Sequence, residues 1–94
     1  MSQPVVTITQ NGRSGDVTYT ERGRRITGWW EFGGGDAIAI VNMGGAEEWE
    51  RSHGWAAPHR SAILRFVADE IVRQKAVGCR AEIDEHGGWI EIKR

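Results

Sequence analysis

Only one long stretch of this chain repeats its apolar residues at helical spacing, and the segments on either side of it alternate at period two. Ile63, Leu64, Phe66, Val67, Ala68, Ile71 and Val72 recur at amphipathic intervals, while Arg65, Asp69 and Arg73 share the opposite side. Pro58 suits a first helical turn and Gly78 a stop, so the spacing predicts a helix over residues 58–77. A chain with one long helix and many strands must hide a two-faced sheet with a single covering element.

The strands are read from alternation and from glycine punctuation. Val5–Gln10 is a β-branched run, Asn11–Asp16 a turn cluster, and Val17–Glu21 a second strand closed by Arg22-Gly23. Arg24–Phe32 follows, with Ile26, Gly28, Trp30 and Phe32 on one face and Arg25, Thr27, Trp29 and Glu31 on the other. After Gly33-Gly34-Gly35, Ala37–Met43 places Ile38 and Ile40 opposite Ala37, Ala39, Val41 and Met43. Ala46–His53 makes about two helical turns stopped by Gly54. Beyond the long helix, Arg80–Asp84 and Trp89–Lys93 flank a Glu85-His86-Gly87-Gly88 turn, with Ala81, Ile83, Ile90 and Ile92 directed at the helix. The expected fold is α+β: one domain over residues 1–94, an antiparallel sheet of about six strands in the order β-β-β-β-(short α)-α-β-β, and one helix on one face.

Composition narrows the partners. Twelve basic and thirteen acidic side chains give a formal charge of -1, which offers no global attraction to polyphosphate or an anionic membrane. Nucleic acid is thus not the expected partner. Met1-Ser2-Gln3-Pro4 lacks the features of a secretory leader, no run approaches about 18 apolar residues, and Cys79 is the only cysteine. These features predict a cytoplasmic, non-membrane protein without disulfides.

Five tryptophans stand in 94 residues, three of them outside the core that the strands and helix define. Tryptophan combines a large apolar surface with an N–H that needs a partner, a pairing favoured at interfaces. One helix about 10–12 Å across cannot cover six strands at about 4.8 Å spacing, so Trp29, Ile38, Ile40 and Trp89 are expected on an uncovered face. Either the sheet curls around a closed core, bending at Gly28 and Gly33–Gly35, or the patch predicts a homodimer or another protein partner, with Trp49 and Trp55 at its rim or in an adjacent groove.

Two other sites compete with that face. Trp49, His53, Trp55 and His59 could line a small-molecule or enzymatic pocket under residues 44–57. Arg13, Arg22, Arg24 and Arg25, with Trp29 nearby, resemble the ingredients of a single-strand nucleic-acid platform, although Asp16 and Glu21 interrupt them. No catalytic set, metal site or cofactor is expected. His53, His59 and His86 lack ligand spacing, Gly33–Gly35 precedes a strand rather than a helix, and Cys79 reads as a small filler after the helix stop.

Overall fold

A computed structural model describes residues 3–94; the leader reading at Met1-Ser2 lies outside them. Six strands form one antiparallel sheet: β1 (Val5–Ile8), β2 (Ser14–Glu21), β3 (Arg24–Phe32), β4 (Ala37–Asn42), β5 (Arg80–Asp84) and β6 (Trp89–Lys93). Between β4 and β5 run α1 (Ala46–Ser52), a 3-10 turn (Ala57–His59) and α2 (Arg60–Lys75). The α+β class and the element order agree with the sequence. The spatial order β1-β2-β3-β4-β6-β5 adds that the last strand inserts beside β4 and leaves β5 at the edge. Burial explains this choice, because Ile90 and Ile92 of β6 are fully covered while Ala81 and Ile83 of β5 are only partly so.

The helix-side face of the sheet is built by period-two alternation. Val6, Val17, Tyr19, Ile26, Trp30, Val41, Ile90 and Ile92 meet Ile63, Leu64, Val67, Ala68 and Ile71 of α2 in one buried cluster. Strand β2 begins at Ser14, earlier than the turn composition of Ser14-Gly15-Asp16 suggests, and these residues pair with Glu31, Trp30 and Trp29. Gly15 has a packing reason to lack a side chain: a Cβ there would strike the Thr9 carbonyl and the Trp30 indole, whose Nε1–H donates to that carbonyl at 2.7 Å. At the far end of α2, Gln74 Nε2 donates to Val6 O at 2.9 Å and ties the helix to the first edge strand.

The connection between β4 and α2 is part of the second layer. Trp49 of α1 is completely buried, and its Nε1–H donates to Met43 O at 2.8 Å. Arg60, the one buried charged residue among those described, lies with its guanidinium 4.6 Å from the Trp49 ring centroid. Its Nε donates to Glu85 O and an Nη2–H to Gly44 O, each at 2.9 Å, with further donation to Glu85 O and His86 O. Burial lowers the Arg60 pKa, which the charges of Glu85 and Asp84 oppose, and an arginine remains protonated throughout the working range. One side chain therefore holds the start of α2, the end of β4 and the β5–β6 hairpin together.

Two substitutions test this joint. Trp49→Ala is expected to cost about 3–5 kcal/mol through the cavity it leaves. Arg60→Ala is expected to cost about 1–3 kcal/mol, because buried carbonyls lose their donor. At this chain length each kcal/mol corresponds to about 4–8 °C in Tm, so thermal unfolding resolves both changes.

Candidate functional site

Residues paired across an antiparallel sheet share a face, so the registers write out the surface opposite α2 row by row. The central row reads Asp16, Trp29, Asn42, Trp89, Asp84 across β2, β3, β4, β6 and β5. The next row reads Ser14, Glu31, Ile40, Glu91, Glu82 in the same strand order. Lys93 and Arg80 pair one row further on, and Arg25 stands two rows away on the other side of Trp29. The aromatic centre is thus bordered by carboxylates, with cations at its ends.

Trp29 and Trp89 remain 42% and 40% exposed, which separates them from the buried Trp30 and Trp49. Their rings meet above the intervening strand, with centroids 5.7 Å apart and planes at 85°. Asn42, the residue between them, spends its amide on the backbone: Nδ2 donates to Gly87 O at 3.1 Å and Oδ1 accepts from Gly44 N–H at 2.9 Å. The indole pair forms a ridge on the sheet. Edge-to-face geometry leaves parts of both π faces open to a second molecule.

Among the carboxylates, Glu82 is already engaged, by Lys93 at 3.1 Å and Arg80 at 3.3 Å. The Lys93 hydrogen bond and charge, assisted by Arg80, hold the Glu82 carboxyl below its ordinary range. No ion pair involves Asp16, Glu31, Asp84 or Glu91 among the described residues. Asp84 accepts the Gly87 amide at 3.4 Å, within the hairpin turn.

Several expected site residues lie elsewhere. Ile40 is on the outer face, but an irregularity between Ala37 and Ala39 shifts the register of β4, and Ile38 lines a cavity of about 170 Å³ with Trp30, Phe32, Ile71 and Lys75. The extra residue reverses its direction relative to strict alternation. Trp49 is core rather than rim or pocket wall, and it fills the space under residues 44–57. His53 packs edge-on against it, with ring centroids 6.1 Å apart. Trp55 and His59 do come together, in a shallow cleft with Tyr19, Glu21, Ile63 and Phe66, on the helix side and therefore away from Trp29 and Trp89. The four proposed pocket residues thus divide into two places.

The arginines divide as well. Arg13 precedes β2 and lies 5.5 Å from the Phe32 ring centroid, whereas Arg22, Arg24 and Arg25 occupy the opposite end of the β2–β3 hairpin. Eight residues of strand separate the ends by about 27 Å. Arg24 is applied to Trp55, at 5.5 Å, and not to Trp29. Among the described residues, no group of three or more His, Cys, Asp or Glu side chains could hold a metal ion, and no helix is long and apolar enough to cross a membrane.

Comparison with known proteins gives no match to a family model, a curated protein or a solved structure. The residue that sequence reasoning passed over is Arg60. Its signal was positional, since a cation in the first turn of a helix opposes the helix dipole and requires compensating acceptors.

The Trp55–His59 cleft has its own titration test. Desolvation by burial, then the hydrogen bond to Glu21 at 2.9 Å, push the Tyr19 phenol from 10.0 to about 12. A raised folded-state pKa favours the neutral form, so this contribution to stability is complete below pH 10 and is lost as pH rises towards 12. Tyr19 is the only tyrosine, so phenolate absorbance reads it directly. Ionisation near 12 is expected; an ordinary midpoint in the folded protein would show that the cleft is open to water.

Proposed function

We propose that this chain is a small non-catalytic docking module of the cytoplasm, which binds a protein partner through the sheet face centred on Trp29 and Trp89. The single observation that carries the reading is the pairing of two large, half-exposed indoles at the middle of a sheet face on which no helix packs among the described residues. Large aromatic side chains in the centre of a patch supply much of the energy of protein interfaces. Ile40, between Glu31 and Glu91 on the neighbouring strands, extends the apolar strip along β4. The cytoplasmic placement is supported by a single unpaired cysteine, Cys79.

Docking and folding respond to different tryptophans. Trp29→Ala and Trp89→Ala should each cost about 1–2 kcal/mol of stability, since each ring is only half-covered. Their effect on binding should be much larger. Selection of a random peptide library on the wild-type protein, with the double variant as counter-selection, should yield ligands that move the Trp29 and Trp89 indole resonances. Light scattering over a roughly hundredfold dilution reports self-docking in the same series. A protein that stays monomeric throughout and yields no ligand dependent on these two rings would exclude the docking reading.

A further inference from the structure

We infer that the occupant of this face is an arginine-bearing, extended segment of another chain, and not a second copy of this one. The inference rests on the docking reading and names the chemistry of the partner. Its warrant is the charge pattern fixed by the strand register: Asp16, Trp29, Asn42, Trp89 and Asp84 form a row that reads alike from either end. Glu31, Ile40, Glu91 and Glu82 run parallel to it. The central aromatic strip is thus enclosed by negative charge on both flanks and along one side.

That symmetry penalises self-docking. A two-fold axis that superposes the two tryptophan pairs lies in the plane between the stacked sheets, along the row or along the strands. If the tryptophan pairs stack on each other, the first axis sets each aspartate against its own copy, and the second sets Asp16 against Asp84. Either way carboxylate faces carboxylate, and like charges brought together on desolvation oppose association.

A guanidinium satisfies both halves of the surface at once. Its plane stacks on an indole face, where cation–π attraction is strongest for tryptophan, and its fork of N–H groups donates to two carboxylate oxygens in parallel. Trp29 has Asp16 beside it and Glu31 two residues along its own strand; Trp89 has Asp84 and Glu91 in the equivalent places. Two neighbouring subsites result: their strands, β3 and β6, lie two strand spacings, about 9.6 Å, apart, and their ring centroids 5.7 Å. An extended chain repeats side chains on one face about every 6.6–6.8 Å, so alternate arginines can reach both subsites without a helix. Lysine meets only part of this demand, because an ammonium neither stacks nor bridges in a plane.

The test uses three peptides of equal length, alternating serine with arginine, with citrulline or with glutamate. Citrulline retains the planar shape of arginine and removes the charge. The arginine peptide should shift the Trp29 and Trp89 indole resonances while Trp30 and Trp49, whose N–H groups are bonded internally, stay in place. Affinity should fall about tenfold with citrulline, and about tenfold in the Glu31→Gln, Glu91→Gln double variant, whose fold is checked by the unchanged Trp30 and Trp49 resonances. Rising ionic strength should weaken it further. Equal binding of the citrulline or glutamate peptide at these rings, or dimerisation through them, would overturn the cationic partner and leave the docking face standing. If no peptide moves either resonance and the library ligands that do are neutral or acidic, the inference fails in the same way. If library and peptides alike leave both indoles untouched and the protein is monomeric, the face is not a docking site and both readings fail.

Discussion

A sheet has two faces, and this chain carries helical cover for one. Six strands at about 4.8 Å spacing span roughly 29 Å, whereas a helix is about 10–12 Å across. The helix-side layer is completed by more than α2: α1 contributes the fully buried Trp49, and Trp55 and Ala57 pack against the same core. Every large apolar group brought by the connection goes to that side. Trp29, Ile40 and Trp89 therefore remain on the other face, where no second covering element is found among the described residues.

Arg60 makes this arrangement possible, at an electrostatic cost. A cation buried at the start of a helix faces the positive end of its dipole, so the carbonyls of Gly44, Glu85 and His86 have to compensate. In return the β5–β6 hairpin is fixed against the connection, and Gly88 permits the contact: its φ is +78° and a Cβ there would overlap the Gly44 carbonyl. The hairpin in turn carries Trp89 and Asp84 to the outer face, and Asn42 joins the two by bonding Gly87 and Gly44. The placement of the strand that carries Trp89 thus depends on Asn42 in the outer row and on Arg60 beneath the hairpin.

Periodicity made the elements legible, including the bounds of β3, β5 and β6, and it assigned Trp29 and Trp89 to the outer face. What escaped was whatever depends on a long-range choice. Ile38 obeys the alternation of its own strand in sequence, yet the irregularity in pairing with β6 turns it into the cavity beside Ile71. Trp49 reads as a rim or pocket-wall residue because a short helix has no strong burial signature; the Met43 carbonyl and the Arg60 guanidinium beside it accompany its complete burial. The arginines that are neighbours in sequence share a turn, but Arg13 is carried to the far end of the hairpin by the length of β2. The carboxylate-flanked row itself contains residues from five strands, so no local pattern could reveal it before the order β1-β2-β3-β4-β6-β5 was known.

An exposed aromatic pair is also a hazard, and the structure limits that hazard by charge instead of by cover. Apolar patches on sheets invite non-specific association, and sheet edges invite added strands. Here the first edge, β1, is only four residues long, and the second, β5, presents Arg80, Glu82 and Asp84 outward. The rings themselves stand on β3 and β6, neither of them an edge strand. Asp16, Glu31, Asp84 and Glu91 then impose a desolvation cost on any neutral or acidic surface that approaches, which a cationic segment alone repays by pairing with them. On the proposed docking reading, the same four carboxylates would both disfavour unrelated neutral or acidic surfaces and select the partner, so that charge, more than apolar area, would set what this face binds.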